Sequence, residues 1–212
     1  MNRKVRIEPR KTVEIGIVEE DLFIGRNSTI KAKTGETVVV KGDVEFEGDC
    51  NILSSLHAYS LRLENGGRIN VEGDLIVEKS VKLEDGELLV SGRLEAEDVD
   101  VGKVVRVGRG LKCLEISVGG VLESGGDVDS EKIGVGGKVS VQGNLKGNNL
   151  SVGGTLTVKG LTELEKLDVG GVAKINGGRI LDISVGGVFE STGKLVFEKL
   201  SVGGVAKLKA VD

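Results

Sequence analysis

The chain's one histidine, His57, lies two residues from its one tyrosine, Tyr59, and the two are the nearest thing in the sequence to acid–base chemistry. An imidazole that moves protons needs a second group placed to orient it. A coil grouped around His57, Tyr59 and nearby carboxylates is therefore the weakest of three functional readings. Asp127, Asp129 and Glu131 alternate along the chain, so on a strand their carboxylates share one face and could hold a hard cation such as calcium. Calcium-binding solenoids repeat their aspartates in every turn, and no neighbouring segment repeats these three. A solvated acidic face is expected, with no metal and no cofactor. Cys50 and Cys113 stand 63 residues apart without CxxC spacing, which predicts two buried thiols rather than a disulfide or a zinc site.

Composition narrows the classes further. Aromatic residues are 2% of the chain, with one Tyr, four Phe and no Trp, which argues against the aromatic platforms of carbohydrate-active solenoids. The 33 acidic and 29 basic residues give a formal net charge of −4, so no general attraction to nucleic acid is expected. No small-molecule substrate and no enzyme activity are expected either. The polar N-terminus, MNRKVRIEPRK, lacks the apolar run of a secretory signal, and a cytoplasmic location is the expectation.

The elements that position these residues follow from a repeat. SVGG at 117–120, GVGG at 134–137, SVGG at 151–154, DVGG at 168–171, SVGG at 184–187 and SVGG at 201–204 begin 17, 17, 17, 16 and 17 residues apart. Such a period is too short for helix pairs, and the residues between are short alternating runs of Val, Ile, Leu, Thr, Lys and Glu. The pattern predicts an all-β fold, a single-stranded parallel β-helix or β-solenoid. Right-handed winding is the general expectation for parallel connections.

Numbered from the residue before VGG, the second position is always valine, from Val101 through Val118, Val135 and Val152 to Val202. Ile116, Ile133, Leu150, Leu167, Ile183 and Leu200 form a second column. Stacked at about 4.8 Å, such positions pack as files of like side chains. Glycines at the third, fourth and tenth positions mark two corners, where the chain needs φ > 0 or close backbone approach. Polar pairs such as Glu131-Lys132 mark a third. The expected coil thus carries three short strands in about 17 residues, and about 11 coils stack into about 50 Å.

Residues 22–212 read as one β-helix domain, with irregular coils at 22–82 and regular coils at 83–212. Within the irregular part, 51–60 breaks the pattern. Residues 1–21 read as an N-terminal arm or edge strand capping the helix, where Pro9 and the cations Arg3, Lys4, Arg6, Arg10 and Lys11 are the devices of a protected edge. The other end stops inside a repeat, SVGGVAKLKAVD at 201–212, with no amphipathic helix to close it. Val202, Val205, Ala206 and Leu208 are therefore expected at an open face that continues into another copy. Val104, Val121, Val172 and Val188 form a partial apolar stripe expected to face outward, a candidate for lateral contacts.

The segments GDVEFEGD (42–49), VEGDLIVEKSVKLEDGELLVSGRLEAEDVDVG (71–102) and VGGKVSVQGNLKGNNLSVGG (135–154) resemble bactofilins, the polymer-forming cytoskeletal β-helix proteins, over roughly residues 35–212. The coils are also similar to those of the C-terminal domain of the cell-division inhibitor MinC. The bactofilin resemblance implies a right-handed β-helix that polymerises through its ends without nucleotide. This chain departs from the usual pattern in its longer helix and in lacking proline-rich tails and an apolar membrane-targeting N-terminus. The expected function is a self-assembling cytoskeletal scaffold whose partner is itself. The alternative is a rigid module, monomeric or a closed homodimer, that binds a protein or a membrane surface. End-on assembly predicts that Val205→Pro abolishes polymerisation while the fold survives, as checked by electron microscopy and circular dichroism.

Overall fold

Apolar residues alternating with polar ones make strands with one greasy side, and a chain that repeats such strands at a fixed interval can bury all of them by coiling on itself. The computed structural model describes residues 4–209, which contain 29 β-strands and no helix. Pairings are parallel from the first coil to the last. One sheet holds twelve strands, one per coil, from Thr12–Ile15 to Val205–Leu208. About twelve coils therefore stack, over about 55 Å at the usual strand spacing. Val104, Val121, Lys138, Thr155, Val172, Val188 and Val205 are successive register partners, so the sequence period is the rise of one coil.

The coil has three faces; two corners interrupt the strands throughout, and the third does so only in some coils, as between Leu75–Val77 and Ser80–Leu83. At the third, strands such as Gly110–Val118 and Val128–Val135 run through the bend. Their in–out alternation slips there, leaving Leu114 with Glu115, and Glu131 with Lys132, both outward. Two faces consequently merge into one 17-stranded sheet.

The VGG corners do not use left-handed backbone. Among the described residues, positive φ occurs at Arg10, Asn27 and Asp85 and at Gly35, Gly66, Gly67, Gly177 and Gly178, never within a VGG. What the VGG glycines supply is close approach. Gly136 N–H donates to Val118 O at 2.9 Å and Gly137 N–H to Gly120 O at 3.0 Å. A Cβ on Gly137 would stand 2.6 Å from the Gly120 carbonyl oxygen, and one on Gly136 would strike that of Gly119. Where a corner carries a polar side chain instead, that side chain completes the ladder. Asp49 accepts from Arg68 N–H at 2.7 Å, Asp74 from Arg93 N–H at 2.8 Å and Asp127 from Asn144 N–H at 2.7 Å.

The interior is aliphatic and thin, with Phe46 and Phe189 its buried aromatics among the described residues. Inner serines stay at corners where they can bond the backbone, as Ser191 Oγ does to Gly193 O at 3.2 Å.

The irregular N-terminal part keeps its ladder despite its uneven sequence. Register offsets there are 22 residues at Ile17–Val39, 18 at Thr37–Ser55 and 19 at Leu56–Leu75, so the extra residues are accommodated between strands. Ser55–Leu63, within the stretch that breaks the sequence pattern, pairs with Thr37–Phe46 on one side, with a register shift at Tyr59, and with Leu75–Val77 and Ser80–Leu83 on the other. The count of coils exceeds the expected eleven because residues 4–18 form a coil of their own. In it, Lys4–Ile7 pairs with Asp21–Ile24 and Thr12–Ile15 with residues 29–32.

If close approach is what the VGG corner requires, Gly136→Ala costs about 2–4 kcal/mol through backbone displacement. Gly134→Ala, whose Cβ would meet only the Ile116 carbonyl oxygen at 4.0 Å, changes stability by less than about 1 kcal/mol. Urea unfolding of the two variants checks this, and equal losses would contradict it.

Candidate functional site

The last coil is where this fold leaves work undone. From Thr192 to Lys209 no residue is buried. Ala206 lies in register on Phe189, which is fully buried, yet Ala206 itself is exposed; Leu208 likewise follows Ser191 and is 43% exposed. These two side chains occupy inward positions, and among the described residues nothing covers them. Leu195, Leu200 and Val202 extend the same uncovered slice, packed against the core on one side only. Val205 occupies the outward file and is 51% exposed.

Backbone polarity at this edge is specific. Val205 N–H donates back to Gly187 O at 3.1 Å and Lys209 N–H to Ser191 O at 3.2 Å. Successive strand residues direct their amide groups to opposite neighbours, so Ala206 and Leu208 turn theirs to the uncovered side. Val205→Pro would thus cut a bond inside the molecule. Ala206→Pro is the substitution that blocks the edge alone.

The first coil is less open. Val5 is 38% exposed, but Ile7 and Val18 are buried. Two arm cations are spent on the chain's own surface: Lys4 pairs with Glu45, and Arg6 lies 4.1 Å over the Phe23 ring. Arg3 lies outside the described residues.

Val104 and Val121 are adjacent register partners, half-buried on the outer edge of the twelve-stranded sheet, as are Val172 and Val188 with Val205 beyond them; Lys138 and Thr155 separate the two groups.

His57 points outward in the ladder between Val39 and Ile76, its Nε2 3.5 Å from Glu78 Oε1 with both groups largely in solvent. Tyr59, 41% exposed, sits at the adjoining corner. Asp127, Asp129 and Glu131 all face outward. Asp127 caps the Asn144 amide at 2.7 Å, and Asp129 has Lys112 and Lys146 as register neighbours. Among the described residues no three His, Cys, Asp or Glu side chains converge in a manner that could hold a metal. No helix there is long and apolar enough to cross a membrane.

Both cysteines are free and buried. Burial pushes the Cys50 thiol up to about 12 and that of Cys113 to about 11, the latter moderated by a 3.4 Å contact with Ser130 Oγ. The Arg93 N–H bonded to Asp74 holds that carboxyl below its ordinary range, and the Arg106 guanidinium does the same for Glu123.

Comparison of the chain with family models, with curated proteins and with solved structures gave no match.

The thiol shifts set an alkaline limit. A group whose pKa is raised by folding stabilises the fold fully below its unfolded value and loses that contribution as pH rises toward its folded value. Stability should therefore fall between the ordinary thiol value of 9.0 and about 12. Cys50→Ala/Cys113→Ala should flatten this decline, as read by thermal melts across pH. A decline unchanged in that variant would contradict the assignment.

Proposed function

We propose that the chain is a non-enzymatic scaffold of the bactofilin kind, working in the cytoplasm and assembling through its terminal coils without nucleotide. The observation that carries this reading is the uncovered last coil, where inward Ala206 and Leu208 stand exposed directly after the fully buried Phe189. A second copy seated there would supply the next coil. Its backbone would satisfy the amide and carbonyl groups of Ala206 and Leu208, each hydrogen bond adding about 1 kcal/mol net, and its inward side chains would close the core. The cost of ordering is small, because the edge is already a strand. Joined at unlike ends, such units propagate without closing. Stiffness suits a scaffold as well, since each coil is bonded to the next on three faces.

The half-buried valines at 172 and 188, with exposed Val205 beyond them, favour a second reading, a rigid module that binds a protein or lipid surface as a monomer or closed dimer.

Ultracentrifugal pelleting separates the two. End-on assembly predicts that the parent chain pellets, whereas Ala206→Pro and Leu208→Glu remain in the supernatant with unchanged circular dichroism. A parent chain that stays soluble, or variants that pellet as it does, would overturn the proposal in favour of the module.

A further inference from the structure

One outward file of the 17-stranded sheet carries an ordered set of charges. Glu95, Lys112, Asp129, Lys146, Glu163 and Arg179 are successive register partners, one per coil, and their signs alternate without exception. Ile76 precedes Glu95 in the file and Val196 follows Arg179, 41% and 50% exposed. Elsewhere on the surface, neighbouring coils use opposite charges in ion pairs, as in Lys132–Glu115 and Arg68–Glu87. None of these six takes part in an ion pair among the described residues.

An alternating file with an even number of members is complementary to itself when reversed. Two copies laid face to face and antiparallel, related by a two-fold axis across the file between Asp129 and Lys146, set Asp129 against Lys146, Lys112 against Glu163 and Glu95 against Arg179. Each pairing occurs twice, as an isologous interface demands. The same operation brings Ile76 onto Val196, so an apolar contact closes each end. Parallel copies in register would instead place every charge on its own kind, a repulsive arrangement. Leu114 and Leu161, both exposed, flank Lys112 and Glu163 two residues away and border that pair with apolar surface.

We infer that this face pairs two copies of the chain side by side in antiparallel orientation. The partner is a second copy because the charge order fits its own reverse. The eight coils from Ile76 to Val196 span about 34 Å, and at a width of about 15 Å two such faces bury about 1,000 Å² in total, the lower bound for a specific interface. The contact is accordingly weak and sensitive to salt. At Val196 it reaches the outward side of the last coil, but it does not use the inward edge of that coil and does not depend on end-on assembly.

Cysteine cross-linking reads both the contact and its orientation. With oxidised glutathione as the oxidant, Ile76→Cys/Val196→Cys should give a covalent dimer on a denaturing gel, while each single variant and the parent chain, whose own thiols are buried, should not. Adding Lys112→Glu should cut the yield about tenfold, as should raising salt from about 50 to about 500 mM. Adding Glu163→Lys to Lys112→Glu should restore it. Absence of the dimer would overturn the inference, as would equal yields from the single-cysteine variants or a ladder of higher adducts, which marks a contact that does not close. Loss of yield in Lys112→Glu that Glu163→Lys fails to restore would overturn the charge pairing. The Ala206→Pro background leaves these expectations unchanged, so failure here is distinct from failure of end-on assembly.

Discussion

Each coil satisfies its backbone through the coil on either side, at one nearly constant register, and the other features of the molecule follow from that ladder. Identical positions stand above one another, so a valine at the inward second position must be followed by a valine or something of its size. At the VGG corners from Gly119 to Gly204 a glycine is followed by a glycine, because the carbonyl oxygen of the preceding corner occupies the space a Cβ would need. The core is one side chain thick on each face and contains no layer that could take up a mismatch. This accounts for an aliphatic interior in a chain with 2% aromatic residues, since a bulky ring repeated in every coil would not fit the section.

The same constraint makes the ends different in kind from the sides. Along the stack, amide and carbonyl groups are paired and apolar columns are continuous. At the last described coil both interactions stop together, leaving exposed side chains at positions buried in the coils just before it. The first coil moderates its edge through Ile7 and Val18 and through cations turned back onto Phe23 and Glu45. The last coil has no comparable device among the described residues. On the sides, by contrast, whatever is outward is repeated at close spacing, so ordered charge files arise readily and can encode the orientation of a neighbour.

The columns Val101 to Val202 and Ile116 to Leu200 were legible because each coil preserves the residue type, and they carry the fold class. The N-terminal coils were not legible to the same degree. Register offsets of 22, 18 and 19 residues scatter the period there, although His57 lies on a strand paired on both sides. Spacing could not decide between positive φ and close approach at the VGG corners, since glycine serves both. Nor could it assign the direction of the Val205 amide, which depends on pairing. The charge file from Glu95 to Glu163 runs at exactly the period of the valines, and reading the outward columns as closely as the inward ones would have found it. Only the step to Arg179 needed the structure, because one coil there is a residue short.

If ladder continuation across copies is what this molecule does, the assembled object must show it directly. Negative-stain electron microscopy of the purified chain is the measurement that tests this most simply. Unbranched fibres many times longer than the single stack of about 55 Å are expected. Uniform short rods of that length, at protein concentrations well above those needed for imaging, would contradict the account and leave the uncovered coil as an end that stays open.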